Sequence, residues 1–130
     1  MNSNDAGPVH GLILFGHGAR DPRWAEPFER VRADVAARRP DVRVVLAFLE
    51  LMQPDLAGAA DALVAAGCTR LSIVPIFFGQ GAHLRRDLPA LVEALRARLP
   101  AVTITVADAA GEDPGVLSAV ADYCVRSSGA

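Results

Sequence analysis

The sequence contains no lysine, few aromatic residues and only two cysteines. All 13 basic residues are arginine, and aromatic residues make up 5% of the chain. The arginine-only usage is explained either by codon bias or by recognition of carboxylates, which arginine forks bind in bidentate fashion. The cysteines form no Cys-x-x-Cys pair. We expect both to be small buried hydrophobic residues, Cys68 beside a strand and Cys124 in a helix.

The chain also lacks an excess of charge of either sign and any long hydrophobic run. With 13 basic and 15 acidic residues its formal net charge is -2, whereas a general nucleic-acid or polyanion binder would show a dominant basic stripe. No stretch approaches the length of a membrane span. Residues 1–8 have neither the cationic start nor the apolar run of a signal peptide. We therefore expect a cytoplasmic protein that binds neither nucleic acid nor membrane.

What the sequence does have is four apolar runs rich in β-branched residues, each followed by a helical pattern. Hydrophobic residues make up 52% of the 130 residues, which is ample for the core of one domain. The first and third runs are almost continuously apolar, as in a strand buried on both faces. The fourth alternates with threonine, which is typical of an edge strand. The runs span residues 9–15, 42–49, 71–78 and 102–107.

Prolines and capping residues predict four helices that follow these strands. Because Pro89 fits best in a first turn, Asp87 is a candidate N-cap of the third helix. The repeated β-α order predicts right-handed crossovers and a parallel sheet covered by helices on both faces. The fold prediction is a single α/β domain over residues 1–130, with a core of 9–126 and a four-stranded parallel sheet. The predicted helices span residues 22–39, 54–67, 83 or 87 to 99, and 114–127.

The ends of these strands carry the candidate chemistry. Ligands of open α/β sheets bind beyond the carboxyl ends of the strands, where the strand order reverses. His17 follows the first strand within Gly-His-Gly, Glu50 follows the second, and His83 follows the third behind Gly79 and Gly81. Glycines allow a ligand to approach the backbone closely. This edge of the sheet is therefore the predicted functional site.

Two histidines and a carboxylate suit a borderline divalent metal such as cobalt, nickel or iron. Each also has a structural interpretation, because a histidine at a glycine-rich turn can bond a loop backbone and Glu50 can simply be the first exposed residue after a strand. On a continuous helix Asp87 shares a face with His83 and would orient its imidazole, although capping is the simpler explanation. His10 precedes the first strand at the opposite edge and is expected to be structural.

Other motif interpretations fail on detail. The Gly16-x-Gly18 and Gly79-x-Gly81 pairs lack the third glycine of a dinucleotide fingerprint, and no Gly-Lys-Ser/Thr phosphate loop is present. The Gly-His-Gly triplet is similar to the Arg-His-Gly of histidine phosphatases, but glycine replaces the arginine. Only Arg20 lies close in sequence to hold a phosphoryl group. A phosphohistidine enzyme is therefore a disfavoured alternative.

Three stretches together carry a family resemblance. Phe-Gly-His-Gly ends the first strand with Arg20-Asp21 after it, and Ala-Phe-Leu-Glu ends the second strand at Glu50. The most specific is a proline-centred third strand, Val-Pro-Ile-Phe-Phe, that continues through glycines to His83 and Asp87. Over residues 12–122 the chain thus resembles the short form of the CbiX/SirB family, the sirohydrochlorin chelatases of the class II chelatase superfamily.

The resemblance implies a chelatase-like, flavodoxin-like wound half-unit that inserts a divalent metal into sirohydrochlorin, for cobalamin or sirohaem. Cobalt is the first choice, Fe²⁺ and Ni²⁺ are the alternatives, and no organic cofactor is implied. The family pattern makes His17 and His83 the pair that handles the metal and removes pyrrole protons, which suits neutral imidazole near pH 7. Glu50 would add negative charge facing the incoming cation. A metal or tetrapyrrole carrier without turnover is the alternative from another class.

The same resemblance implies how the substrate is held. Its carboxylates make the arginines at this rim candidate clamps, and Gly81 belongs to the same substrate-binding set. One such domain offers an open shelf, whereas longer members of the superfamily have two similar halves that face each other. A short chain is therefore expected to form a homodimer with the cleft between protomers. The candidate clamps are Arg20, Arg23, Arg85 and Arg86.

Overall fold

Four strands and four helices alternate in the described part of the chain, as the sequence pattern predicts. The computed structural model describes residues 9–79 and 82–129, and the side chains of residues 82–85 lie outside the described part. Two short 3-10 turns, Pro22–Ala25 and Ala110–Glu112, precede the first and last helices. The strands are β1 (His10–Gly16), β2 (Val42–Phe48), β3 (Arg70–Pro75) and β4 (Thr103–Val106), and the helices are α1 (Glu26–Arg38), α2 (Leu56–Ala65), α3 (Ala82–Arg98) and α4 (Pro114–Ser127).

The sheet is parallel, with the strand order β2-β1-β3-β4. The order reverses between β1 and β3, which is the switch point of a flavodoxin-like doubly wound sheet. The predicted four-stranded parallel sheet is therefore confirmed. β4 lies at an edge, and Ile104 is its one buried residue, in agreement with its threonine alternation. The central position of β1 places the residue that follows it between the ends of β2 and β3.

The main core lies between one face of the sheet and the helices α2 and α3. Burying a large apolar side chain stabilises a fold by about 1.5–3 kcal/mol, and this layer holds most of the buried side chains. Gly11 lets α2 approach β1, because a Cβ at this position would lie 2.8 Å from Cδ1 of Leu63. The buried layer includes Ile13, Phe15, Ala59, Leu63, Cys68, Leu71, Ile73, Val92 and Leu95.

The opposite face of the sheet is covered by α1. Val35 and Ala36 of this helix belong to a second cluster that is built on Leu14, Val42 and Val44. Helices therefore lie on both faces, as predicted. The fourth helix contributes to neither layer, because every residue of α4 is exposed. Within the described residues, no helix is both long and apolar enough to cross a bilayer.

Two sequence predictions are wrong. Asp87 is not the N-cap of α3, because this helix begins at Ala82 and contains Pro89 in its interior. The prediction assumed that Pro89 lies in the first turn of the helix. A proline in the interior of a helix removes one backbone hydrogen-bond donor but need not end the helix. Cys68 is buried as expected, whereas Cys124 is exposed on α4, because its helix does not pack on the sheet.

Candidate functional site

A histidine and a carboxylate meet at the carboxyl edge of the sheet. His17 directly follows β1 and Glu50 lies two residues beyond β2. Their side chains form a hydrogen bond of 3.0 Å between Nε2 of His17 and Oε2 of Glu50. The two side chains are 54% and 55% exposed, so the pair is open to a ligand. The structure thus brings these two predicted site residues together at one edge of the sheet.

Backbone contacts hold the loops of this pair together. The amide of Leu49 donates to the carbonyl of Gly16 at 2.9 Å, and the amide of Glu50 donates to the carbonyl of His17 at 3.1 Å. Gly18 has a φ of +99°, and a Cβ on it would overlap the carbonyl oxygen of Glu50. Only glycine satisfies both conditions, because other residues rarely adopt this φ. The position of His17 relative to Glu50 is therefore set by the backbone.

A buried aromatic side chain, Phe77, packs against the ring of His17. The ring of Phe77 lies edge-on to His17, with 6.4 Å between ring centroids, and also packs edge-on against Phe15 at 5.8 Å. Phe77 is buried. The amide of Gly111 donates to the carbonyl of Phe77 at 2.8 Å, which ties the segment after β4 to Phe77. The His17 ring thus packs against a buried aromatic side chain, while 54% of the His17 side chain stays exposed.

Two apolar side chains next to these residues are exposed. Leu51, which follows Glu50, is 58% exposed and has a φ of +67°. Phe78, which follows Phe77, is 65% exposed. Large exposed hydrophobic residues beside a polar pair indicate a binding surface. Two exposed apolar side chains therefore neighbour the site residues in sequence and are available for contact with a ligand.

The candidate arginines differ in whether their guanidinium groups form ion pairs with carboxylates. Arg23 binds Asp21 through a 2.8 Å ion pair, and this contact with Arg23 lowers the pKa of Asp21 below its ordinary value. Arg20 and Arg86 are exposed, and neither forms an ion pair with a residue in the described part of the chain. Arg23 is thus paired with an acidic neighbour, whereas Arg20 is exposed and forms no ion pair in the described part of the chain.

Two of the remaining predicted site residues, His83 and Arg85, belong to the start of α3. His83 is the second residue of this helix, but its side chain and that of Arg85 lie outside the described residues, as does Gly81. Their predicted roles therefore stay predictions. In the described part of the chain, no three histidine, cysteine, aspartate or glutamate side chains form a group that could hold a metal ion. The pair of His17 and Glu50 supplies two groups of the predicted set.

His10 lies at the opposite edge, as predicted. Its Nε2 is 2.7 Å from the hydroxyl oxygen of Ser72, and its Nδ1 is 3.3 Å from the guanidinium of Arg70. Partial burial and the charge of Arg70 lower its pKa. This histidine occupies a structural position and is a useful control for the site.

Sequence reasoning missed three supporting residues. The sequence pattern places Phe77 within the third apolar run, as part of a strand. In the structure Phe77 follows β3, and its ring packs against His17. Gly18 was noted only as part of a Gly-His-Gly triplet, whereas its contact is with the distant Glu50. Gly111 was not singled out, yet a Cβ there would overlap the carbonyl oxygen of Phe78. A glycine that follows a strand end by a few residues was the only available signal.

The fold and the site define a doubly wound α/β protein with a histidine–carboxylate pair at its switch-point edge. The sequence profile of the CbiX family matches residues 11–126, and the chain belongs to this family. The curated relatives include the sirohydrochlorin cobaltochelatase of Methanothermobacter thermautotrophicus, which is 32% identical over 88 residues, or 68% of this chain and 60% of the relative. The chain thus spans about 60% of the length of that relative. The sirohydrochlorin cobaltochelatase of Saccharolobus solfataricus is 31% identical over 109 residues, or 79% of this chain and 84% of the relative.

Solved structures show the same fold. A cobalamin (vitamin B12) biosynthesis CbiX protein from Marinobacter aquaeolei VT8 superposes with a TM-score of 0.79 at 32% identity, covering 91% of this chain and 93% of that one. SirB from Bacillus subtilis with Fe³⁺ gives a TM-score of 0.74 at 26% identity, covering 87% of this chain but 45% of that one. This chain therefore corresponds to one half of SirB.

Proposed function

We propose that this protein is a sirohydrochlorin metal chelatase, which inserts a divalent metal into the tetrapyrrole for cobalamin or sirohaem. The observation that carries the proposal is the half-exposed hydrogen bond of 3.0 Å between His17 and Glu50 at the switch-point edge. Membership of the CbiX family and the names of the relatives support it. Cobalt is the proposed metal, because the relatives are named cobaltochelatases, with Fe²⁺ and Ni²⁺ as alternatives.

The hydrogen bond assigns a role to each nitrogen of His17. A carboxylate only accepts hydrogen bonds, so a neutral His17 bonded to Glu50 carries its proton on Nε2. Its Nδ1 then has the free lone pair, which can accept a pyrrole proton or bind the entering metal. When Nδ1 gains a proton, Glu50 stabilises the resulting imidazolium. The pair thus performs the proton removal that metal insertion requires.

We propose that His83 completes the pair that handles the metal. The macrocycle must lose two inner protons as the divalent metal enters. A second base can therefore accept the proton that His17 does not. His83 follows β3 and His17 follows β1, and these neighbouring parallel strands end at the same edge. The metal is a substrate in this scheme and no organic cofactor takes part.

The substrate carboxylates are proposed to bind the free arginines of the rim. Replacing Arg20 with alanine is expected to raise the KM for sirohydrochlorin about tenfold, because one charge-assisted hydrogen bond is lost. Arg23→Ala is the matched control, with an expected change below about twofold, since Asp21 already occupies this guanidinium. Steady-state kinetics of both variants test the assignment. Equal changes in KM would contradict it.

We also propose that the active protein is a homodimer. The chain covers 45% and 48% of the two SirB structures, so one copy corresponds to half of that longer chain. A second copy of this chain would supply the facing half of a cleft for the macrocycle. Dimers with two-fold symmetry are the commonest closed assemblies of soluble proteins.

An anaerobic assay with sirohydrochlorin and each of Co²⁺, Fe²⁺ and Ni²⁺ tests the proposed activity. We expect metal-dependent loss of the free-base absorption spectrum over many turnovers, fastest with cobalt. One equivalent of bound tetrapyrrole without turnover would instead identify a carrier. Loss of the spectrum at the rate of the protein-free reaction, with no tetrapyrrole bound to the protein, would contradict both functions.

A further inference from the structure

Leu51 has a backbone conformation that leucine rarely adopts. Its φ is +67°, and in the described part of the chain it is the one residue other than glycine with a positive φ. In this left-handed region the Cβ of an L-residue lies too close to the following carbonyl oxygen, so glycine and asparagine are the usual occupants. A leucine held there strains the loop that follows β2. Such strain is typical of binding and active sites.

Packing within the core does not explain why this position carries leucine. Leu49, two residues earlier, packs against the main core, whereas Leu51 belongs to neither apolar cluster of the described residues. Leu51 is 58% exposed. Its free energy is therefore raised twice, by a disfavoured backbone conformation and by apolar surface left in water. A ligand that covers this side chain would offset the second of these costs.

Backbone hydrogen bonds hold Leu51 at the carboxyl edge of the sheet. The amide of Phe48 donates to the carbonyl of Pro54 at 2.9 Å, which closes a loop with Leu51 at its middle. The amide of Glu50 donates to the carbonyl of His17 at 3.1 Å, and this bond fixes the start of the loop beside the candidate site. Leu51 is therefore held next to the histidine–carboxylate pair.

A second exposed apolar residue follows the strand on the other side of β1. β2 and β3 are the two neighbours of β1 in the sheet, so the loops that follow them flank His17, which follows β1. Phe78 lies three residues beyond β3 and is 65% exposed. Because adjacent strands lie about 4.8 Å apart, the ends of β2 and β3 are about 10 Å apart. A macrocycle that lies across the end of β1 would therefore meet Leu51 on one side of His17 and Phe78 on the other.

We propose that Leu51 and Phe78 are substrate-binding residues that contact the two flanks of the tetrapyrrole ring, on either side of His17. The proposal rests on the chelatase function proposed above, and it adds residues that bind the ring itself to the arginines that bind its carboxylates. The pyrrole carbons of the ring are apolar, and burying apolar side chains against them favours binding. This contact gives the leucine a role that glycine or asparagine could not fill.

Leu51→Asn tests the contact, because asparagine tolerates a positive φ but offers no apolar surface. We expect the KM for sirohydrochlorin to rise about fivefold, with kcat within about twofold of the wild-type value. An interaction made equally with the bound substrate and the transition state changes KM alone. We expect Tm to rise by about 2–4 °C, because the backbone strain is relieved. A purely structural role for Leu51 would lower Tm instead and would contradict the proposal.

Leu51→Met and Val9→Asn are the matched controls. Methionine keeps the apolar surface, so KM should stay within about twofold of the wild-type value. Val9 is 51% exposed and precedes β1 at the opposite edge, so Val9→Asn removes a similar apolar surface away from the site and should leave KM unchanged. Phe78→Ala should raise KM about fivefold, as Leu51→Asn does. A Leu51→Asn variant that loses kcat at an unchanged KM would overturn the ring contact, because Leu51 would then act only by positioning Glu50.

The fluorescence of the single tryptophan separates this proposal from the chelatase function. Trp24 lies close to the site, because its ring would be 3.5 Å from a Cβ on Gly16, the residue before His17. Titration with metal-free sirohydrochlorin should quench Trp24 and give a Kd, which Leu51→Asn should raise about fivefold. That rise in a protein that inserts no metal would contradict the chelatase function and keep the ring contact. Normal turnover with the same Kd for wild type and Leu51→Asn would overturn the ring contact and keep the chelatase.

Discussion

Replacing His17 with alanine is expected to lower the rate of metal insertion into sirohydrochlorin by roughly 100-fold or more. A positioned acid–base group contributes about 10²–10⁴-fold to a rate, and this side chain combines an Nδ1 free for the proton or metal with a carboxylate that stabilises its charged form. The same loss is expected for His83→Ala if that residue is the second base. The anaerobic spectrophotometric assay, at saturating metal and tetrapyrrole, measures both.

His10→Ala is the control for this loss. His10 belongs to β1, the strand that His17 directly follows, but it lies at the opposite end of that strand and bonds Ser72 rather than a carboxylate. Its removal should leave turnover within about twofold of the wild-type rate, since side chains at that edge do not reach the site. Normal turnover by a folded His17→Ala variant would show that the chemistry takes place elsewhere. Circular dichroism checks that each variant is folded.

Replacing Gly18 with alanine is expected to destabilise the domain strongly. Two costs combine at this position. The φ of +99° disfavours any side chain by about 1–2 kcal/mol, and the new Cβ would overlap the carbonyl oxygen of Glu50. Relief requires the two loops to move apart, which also breaks the hydrogen bond between His17 and Glu50. We therefore expect loss of activity as well as of stability.

Gly67→Ala measures the cost of the positive φ alone, because the two glycines have nearly the same φ. The difference between the two variants is then the steric cost at Gly18. Gly67 has a φ of +101°, and nothing lies within 4 Å of the position of its Cβ. A change of 1 kcal/mol shifts Tm by about 4 °C in a domain of this size, so Gly67→Ala should lower Tm by about 4–8 °C. Gly18→Ala should lower it by at least twice as much. Equal decreases in Tm for the two variants would contradict this expectation. They would show that the loops of Gly18 and Glu50 move apart at no measurable energetic cost.

Much of the fold was accessible from the sequence because hydrophobic periodicity reports burial. The continuous apolar runs at β1 and β3 correspond to central strands, and the threonine alternation of β4 to an edge. The same reasoning failed for Cys124. A helical stripe of apolar residues predicts a buried face, but α4 packs mainly on the 3-10 turn before it and its residues are exposed. The error at Asp87 is local, since a proline in the interior of a helix need not end it.

The candidate site was accessible in part for a similar reason. A parallel sheet carries its ligands at its carboxyl edge, so His17 and Glu50 could be assigned to one edge from their positions after strands. Their direct contact could not be predicted, because it depends on which strands are neighbours. Gly18 and Phe77 were missed because their partners are distant in sequence. A contact between residues 18 and 50 leaves no local signal.

By itself the sequence determined the alternation of strands and helices, the parallel sheet, and the edge at which polar residues collect. These follow from local propensity and from the periodic placement of apolar side chains. Tertiary structure alone decided that β1 lies between β2 and β3, which brings His17 into contact with Glu50 and places it beside the strand that precedes His83. Strand order is a property of long-range packing and of chain crossovers, and no window of sequence encodes it. The same packing left every residue of α4 exposed.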